Sequence, residues 1–226
     1  MNSSIESGSE QTLGVAIFDL DGTLTYHDTL VPFLGLAVAA NPARLLRLAA
    51  AGVWLARYLI DRDRGRLKGA LIQALVGGCT RAQIDALAQS LIVKLLRNGL
   101  RPGAQATLQR HRERGDRLIL LSASPDLYVP AIAKALSFDQ CLCTQVLWRG
   151  EHLMGSLITE NRRGEEKRRL VADLLAELKP PHSAAYGNAE SDLPHLRLVT
   201  SPLLVNANAH ARKKAEQYGV PTDEWP

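Results

Sequence analysis

The sequence predicts an α/β protein: a Rossmann-like parallel sheet with helices on both faces and an inserted α-helical cap. Three observations predict it. An apolar run at residues 14–19 ends on an acid, apolar runs alternate with helical segments after residue 100, and residues 30–99 between them carry helical patterns only. Alternating strands and helices are typical of a parallel sheet. We therefore assign residues 13–29 and 100–226 to the core and residues 30–99 to the cap.

The predicted strands are short apolar runs. The first, GVAIFD at residues 14–19, is apolar until its last residue, which is typical of a strand buried on both faces. Ligands of such sheets bind at the carboxyl ends of the strands, so side chains at those ends are candidate functional groups. The other predicted strands are residues 117–122, 140–147, 183–187 and 202–206.

Helix starts are predicted from capping signals. Asn41, followed by proline, predicts a helix that runs to about residue 60. Thr80 with Gln83 forms a capping-box pattern for a helix that ends near Asn98. Ser124, also followed by proline, predicts the start of another helix. Further helices are predicted at residues 66–76, 102–114 and 164–178.

The composition narrows the class of partner. The chain has 226 residues and a net charge of +4, with 46% hydrophobic and 5% aromatic residues. A basic balance favours acidic partners such as phosphate esters, anionic lipid surfaces and nucleic acid. Nucleic acid is disfavoured, because the sequence has no basic stripe with interleaved aromatic residues.

Cysteine usage and the apolar segments predict a cytoplasmic protein. The three cysteines lack the spacing of a zinc site and are interpreted as reduced thiols. Residues 1–12 are polar and are predicted to be a disordered lead-in without the features of a signal peptide. The apolar residues 30–60 are interrupted by arginines and proline, so they do not predict a membrane-spanning helix.

Two carboxylates follow the first predicted strand, in the segment DLDGTLT. Asp19 is a candidate nucleophile that would form an aspartyl-phosphate, and Asp21 is a candidate acid that would protonate the leaving alkoxide and then activate water. Two close carboxylates repel each other unless a cation intervenes, so Mg²⁺ fits the pair. The alternative is an acidic loop that only caps a helix, but the position directly after an apolar strand favours a catalytic role for the two carboxylates.

Other candidate groups follow the later strands. Ser122 ends the second predicted strand, and we assign it, with Ala123 and Thr23, to phosphate binding. Lys167 opens a helix and would neutralise a transferring phosphoryl group; a solvated lysine paired with nearby glutamates is the competing interpretation. Ser124 is interpreted as a helix cap only.

The segment YGNAESD after the strand at residues 183–187 is a candidate metal loop. Asn188 and Asp192 offer oxygen ligands of the kind that Mg²⁺ prefers. The alternative is that Asp192 is an acid at a helix N-terminus. Together with the pair at Asp19 and Asp21, these residues define the predicted metal ligands.

These four segments, in this order, resemble the haloacid dehalogenase (HAD) superfamily of phosphatases. The helical insert resembles the cap of its phosphoserine-phosphatase-like branch, subfamily IB. The resemblance covers residues 14–210 and implies Mg²⁺ dependence and an aspartyl-phosphate intermediate. Asp19 then matches the family's nucleophile, Asp21 its acid/base, Ser122 its phosphate-binding hydroxyl and Lys167 its lysine.

The sequence departs from the family pattern at two positions. Asn188 stands where the metal loop usually has an aspartate, which would reduce the charge offered to a metal ion. Arg163 stands where phosphoserine phosphatases place their lysine, so the lysine role falls to Lys167 or is shared with Arg163.

The leading hypothesis is a phosphomonoesterase that acts on a small-metabolite or lipid-borne phosphate ester, and the substrate itself stays open. Asp28 occupies the hinge position where phosphoserine phosphatases have a glutamate that holds the substrate's amino group. The leucine- and arginine-rich insert resembles bacterial phosphatidylglycerophosphate phosphatases, which suggests a lipid-borne phosphate and a peripheral position on the inner face of the membrane. The alternatives are phosphoserine phosphatase proper and, because of Asn188, a catalytically impaired phosphate-binding protein.

Overall fold

The computed structural model describes residues 13–48, 64–160 and 162–226, and within them it confirms the predicted fold class. The predicted lead-in, residues 1–12, lies outside the described residues. Six parallel strands form one sheet: β1 (Val15–Phe18), β2 (Arg117–Pro125), β3 (Gln140–Thr144), β6 (Ser183–Gly187), β7 (Ser201–Val205) and β8 (Thr222–Asp223). Their order across the sheet is β3-β2-β1-β6-β7-β8.

Strand β1 lies at the centre of the sheet, between β2 and β6. Its side chains alternate between two buried apolar clusters: Ala16 and Phe18 belong to one, and Val15 and Ile17 belong to the other. A strand that is buried on both faces needs a continuous apolar sequence, which is why this segment was recognisable as a strand. The same burial fixes the position of the acidic residue that follows.

Helices cover both faces of the sheet. In the described part of the chain no helix is both long enough and apolar enough to cross a membrane. The α-helices are α1 (Leu30–Ala40), α2 (Arg64–Val76), α3 (Arg81–Asn98), α4 (Pro102–Glu113), α5 (Val129–Ala135), α6 (Glu165–Leu178), α7 (Leu193–Leu196) and α8 (Ala209–Gln217).

The predicted cap contains α1, α2 and α3. The chain leaves the core and returns to it at one place, since Thr25 and Leu100 form an antiparallel bridge and the N–H of Arg101 donates to the carbonyl of Leu24 at 3.0 Å. Apolar side chains of these helices, Phe33 among them, join the buried cluster on one face of the sheet. These contacts support an insert seated on the sheet; the domain boundaries stay a prediction.

A hairpin that the sequence analysis did not predict follows β3. The predicted strand at residues 140–147 divides at Gln145, whose N–H donates to Thr159 instead of continuing the ladder. The chain then forms β4 (Val146–Arg149) and β5 (His152–Leu157), an antiparallel pair. The hairpin is also bonded to the insert, because the N–H of Gly78 donates to the carbonyl of Leu153 at 2.8 Å.

Two predicted helix starts differ in the structure. Asn41 does accept a hydrogen bond from the N–H of Ala43 at 3.2 Å, but the helix that follows is a 3₁₀ helix, Pro42–Arg47. The rest of the predicted helix, from residue 49 to about residue 60, lies outside the described residues. Ser124 was wrongly predicted as a helix cap. It belongs to β2, and α5 begins only at Val129, because the extended strand continues through the proline.

We expect Thr80→Ala to lower the free energy of unfolding by about 1 kcal/mol, because it removes the helix cap of α3. The Thr80 hydroxyl accepts from the N–H of Gln83 at 3.4 Å, and the Gln83 side chain accepts from the N–H of Thr80 at 3.0 Å. Urea unfolding measures the change. Ser90→Ala, in the middle of the same helix, is the control and should leave stability within about 0.5 kcal/mol of the parent.

Candidate active site

The carboxyl ends of β1, β2 and β6 meet at a pocket of about 180 Å³. Parallel strands end at one edge of the sheet, so the groups that follow them converge there. Eight of the predicted site residues line this pocket, whereas Ser122 and Thr23 are fully buried beneath it. The lining residues are Asp19, Asp21, Asp28, Lys68, Ala123, Ser124, Arg163, Lys167, Asn188, Ala189, Ser191 and Asp192.

Asp19 is held by one cation and one hydroxyl. Lys167 Nζ donates to its Oδ1 at 2.6 Å, and the Thr23 hydroxyl donates to its Oδ2 at 3.0 Å. Lys167 also donates to Asp192 Oδ1 at 2.9 Å, and only 2% of this lysine is exposed. The structure therefore selects the buried interpretation of Lys167 over the solvated one, and it brings one ammonium group between two carboxylates.

The net charge of this cluster is negative, which favours the binding of another cation. Burial raises the pKa of Asp19 to about 6; the Lys167 ammonium group lowers this pKa, and repulsion by the Asp192 carboxylate raises it. Burial alone would lower the pKa of Lys167, yet the two carboxylates raise it above its ordinary value. Two carboxylates and one ammonium leave a net negative charge, and carboxylate and amide oxygens are the donor set that Mg²⁺ prefers.

Asp21 lies in a different environment. Its Oδ1 accepts from the N–H of Thr29 at 2.7 Å and from the Thr29 hydroxyl at 2.6 Å, and its Oδ2 accepts from the Ser124 hydroxyl at 2.5 Å. Burial raises the pKa of this carboxyl group, and the three hydrogen bonds oppose the rise. Ser124 is thus a site residue that the sequence analysis missed, since its partner is 103 positions away in the chain.

The predicted metal loop folds around Asp192. Its Oδ2 accepts from the N–H groups of Asn188 at 3.1 Å and Ala189 at 3.0 Å, which fixes the loop next to Lys167. Asn188 packs against Gly22, where an added Cβ would lie 2.1 Å from Asn188 Nδ2. Glycine is required there for a second reason, since its φ is +81°.

The insert contributes Lys68, which the sequence analysis also missed. This lysine of α2 donates to the carbonyl of Ala123 at 2.5 Å, and burial lowers its pKa to about 8. Asp28, predicted to hold a substrate group, lines the pocket and also accepts from the N–H groups of Leu30 and Val31 at 2.9 and 3.1 Å. Its carboxylate therefore caps α1 as well.

His195 is buried, with only 1% of it exposed. Its Nδ1 is buried without a hydrogen-bond partner among the described residues. Burial lowers the pKa of His195 to about 3, and Lys167 lowers it further while Asp192 opposes the change. The imidazole is therefore neutral in the folded protein near pH 7 and abuts the charged cluster.

The fold and this site define a hydrolase of the haloacid dehalogenase class. The family model for haloacid dehalogenase-like hydrolases matches residues 16–197, and the chain belongs to this family. The match spans the strands that end at the pocket, from β1 to β6.

Known proteins of similar sequence and structure agree with this assignment. Protein CicA of Caulobacter vibrioides is 33% identical over 86% of both chains. Phosphoserine phosphatase SerB1 of Mycobacterium tuberculosis is 25% identical over 90% of this chain and 68% of its own. A crystal structure of a protein of unknown function from Bordetella pertussis matches with a TM-score of 0.79 at 22% identity, over 93% of this chain and 97% of the other.

We expect Gly22→Ala to lower the hydrolysis of an aryl phosphate by at least about tenfold, because the methyl group would displace the Asn188 amide and strain a positive φ. Gly78→Ala is the matched control. Its φ is +80°, but no atom lies within 4 Å of the added Cβ, so it carries the backbone strain without the collision. Equal activity of the two variants would show that Asn188 has no role in the site.

We expect the free energy of unfolding to fall as the pH drops below 6.5, partly through His195. The unfolded chain binds a proton at the ordinary pKa of 6.5, whereas the folded chain excludes it down to about pH 3. Stability is then lost at roughly 1.4 kcal/mol per pH unit in this window. Urea unfolding of His195→Leu at pH 7.5, 5.5 and 4.5 should show a shallower loss than the parent. The exposed His27→Gln should match the parent, and an unchanged slope in His195→Leu would contradict the assignment.

Proposed function

We propose that this chain is a Mg²⁺-dependent phosphomonoesterase that works through an aspartyl-phosphate on Asp19. The family and its relatives support a phosphatase. The observation that carries the proposal is the geometry of Asp19, a buried carboxylate at the end of the central strand with Lys167 Nζ at 2.6 Å. A cation at that distance offsets the charge of an incoming phosphoryl group, which a carboxylate nucleophile would otherwise repel.

The residues divide between metal binding and proton transfer. Asp19, Asn188 and Asp192 would hold Mg²⁺, which would neutralise phosphoryl oxygens when bound. Asp21 was also predicted as a ligand and stays a candidate for that role. Its oxygens accept from Thr29 and Ser124. Asp19 and Asp192 instead contact the Lys167 ammonium group. On the basis of this difference we assign proton transfer to Asp21.

The reaction then has two steps. In the first, an Asp19 oxygen bonds to phosphorus while the bond to the ester oxygen breaks, and Asp21 donates a proton to that oxygen. In the second, Asp21 takes a proton from water, the resulting hydroxide attacks the aspartyl-phosphate, and phosphate leaves with Asp19 regenerated. We assign the Ser122 hydroxyl and the N–H of Ala123 to the phosphoryl oxygens. Thr23, also predicted to bind phosphate, orients Asp19 through its hydrogen bond.

The pocket favours a small hydrophilic ester. Its volume is about 180 Å³, and alanine is the largest apolar side chain among its lining residues. Asp28, Lys68 and Arg163 add charges of both signs beyond the reacting groups. A zwitterionic alcohol such as serine would match these charges, which keeps phosphoserine as the first substrate to test.

A lipid-borne phosphate is the second candidate, and one observation favours it. Leu46 and Val31 are 80% and 71% exposed on the insert, which provides apolar side chains for an interface. The arginines beside them argue less for a membrane. Arg44 and Arg47 donate to the carbonyls of Leu75 and Gly77 at 2.7 and 3.3 Å, so they cap the end of α2.

We expect phosphate release to require Mg²⁺ and to fall on the order of a thousandfold or more in Asp19→Asn, because the amide is not a competent nucleophile. The assay uses phosphoserine, phosphatidylglycerophosphate in mixed micelles and an aryl phosphate, each with and without Mg²⁺. Asp173→Asn, an exposed position on α6, is the control. Full activity of Asp19→Asn would refute the covalent mechanism, and the preferred ester decides between the two substrate classes.

Asn188→Asp tests the impaired-enzyme alternative. The added carboxylate should strengthen Mg²⁺ binding, because it contributes a negative charge where the parent offers a neutral amide. Isothermal titration of Mg²⁺ against both proteins measures the affinity directly. Turnover by the variant alone would identify the parent as a disabled phosphatase that binds its ligand without hydrolysing it.

A further inference from the structure

Three buried hydroxyl groups, which we call the hydroxyl network, lie around the Asp21 carboxyl group. The Thr29 hydroxyl lies 2.6 Å from Asp21 Oδ1 and 3.2 Å from the Tyr128 hydroxyl. The Ser124 hydroxyl lies 2.5 Å from Asp21 Oδ2. Thr29, Ser124 and Tyr128 are 2%, 3% and 0% exposed. Tyr128 does not line the pocket, and its contact with Asp21 runs through Thr29.

The hydroxyl network restrains both oxygens of the Asp21 carboxyl group. Thr29 holds Oδ1 and Ser124 holds Oδ2, so the orientation of the carboxyl group is set from two sides. A hydroxyl group donates one hydrogen bond, accepts others and can rotate about its C–O bond. The Tyr128 hydroxyl, 3.2 Å from that of Thr29, limits this rotation.

The main-chain contact distinguishes the two carboxyl oxygens. Oδ1 receives the N–H of Thr29 at 2.7 Å in addition to the Thr29 hydroxyl, whereas Oδ2 receives the Ser124 hydroxyl. An N–H group can only donate a hydrogen bond, so a proton is disfavoured on Oδ1. Burial raises the pKa of Tyr128 well above its ordinary value, so its hydroxyl stays protonated and can donate within the hydroxyl network.

We propose that Tyr128 is a positioning residue for proton transfer: through Thr29 it fixes the Asp21 carboxyl group toward the leaving-group oxygen. This inference rests on the proposed role of Asp21. A purely structural role for Tyr128 is the competing explanation, since its ring packs against Phe33 with centroids 4.7 Å apart. The test must therefore remove the hydroxyl and keep the ring.

Tyr128→Phe makes that change. The test is kcat/KM for a series of aryl phosphates of graded leaving-group acidity, because kcat/KM reports the steps up to departure of the leaving group. Misplacing the acid should slow the least acidic leaving group by about tenfold and the most acidic by less than about twofold, since an acidic phenol departs without a proton donor. The plot of log kcat/KM against leaving-group acidity should become steeper in the variant.

Two further changes separate positioning from packing. Tyr186→Phe is the matched control, because its hydroxyl lies 2.8 Å from His111 Nε2, outside the hydroxyl network, and its slope should equal the parent's. Thr29→Val should steepen the slope as Tyr128→Phe does, whereas Thr29→Ser, which keeps the hydroxyl, should restore it. If Tyr128→Phe does not fold, a parental slope in Thr29→Val would overturn the inference, because Thr29 carries the contact between Tyr128 and Asp21.

Asp21→Asn makes the two possible failures distinguishable. A steep slope in Asp21→Asn with a parental slope in Tyr128→Phe and Thr29→Val would overturn the positioning role of Tyr128. The proposed function would still stand. A parental slope in Asp21→Asn would remove the proton-transfer role of Asp21 and the inference with it. Uniform slowing of all esters in Tyr128→Phe would also overturn the inference, because loss of packing does not discriminate between leaving groups.

Discussion

The contact between the Lys167 ammonium group and the carboxylates of Asp19 and Asp192 organises this molecule. All three groups are buried, and a buried charge that loses its partner costs several kcal/mol. Each group comes from a different element: the end of β1, the first turn of α6 and the loop after β6. The ion cluster can therefore form only when the sheet order and the docking of α6 are correct. The same cluster places Asp19, the proposed nucleophile, next to a cation.

Asp19 and Asp21 are two residues apart but are prepared for different chemistry. Asp19 is held by an ammonium group and a hydroxyl, which suits a carboxylate that must stay ionised to attack. Asp21 is held by hydroxyls and one N–H, and hydroxyl groups both donate and accept, which suits a group that gives and takes protons. Burial raises the pKa of both carboxyl groups, so the contrast lies in their hydrogen-bond partners. Pairs of carboxylates with contrasting environments are the usual way to divide nucleophilic and acid–base roles. The contrast depends on Thr29, the last residue before α1.

The insert reaches the pocket, and the hairpin of β4 and β5 is bonded to the insert. Lys68 reaches from α2 to the carbonyl of Ala123, and the hairpin bonds to the turn after α2 through Gly78 and Leu153. The pocket is therefore lined by groups from the core and, through Lys68, from the insert.

The sequence by itself determined the features that short segments specify. The continuous burial of β1 identified the strand and, with it, the position of Asp19; the capping box at Thr80 formed as predicted, because its hydrogen bonds span only three residues. Only the tertiary structure decided the role of Ser124, the arrival of Lys68 in the pocket and the hairpin after β3. Ser124 has a plausible local role beside a proline, and its contact with Asp21 joins residues 103 positions apart. Side-chain partners at such separations are set by how helices and strands pack, and that packing leaves no signal in the local spacing of residues.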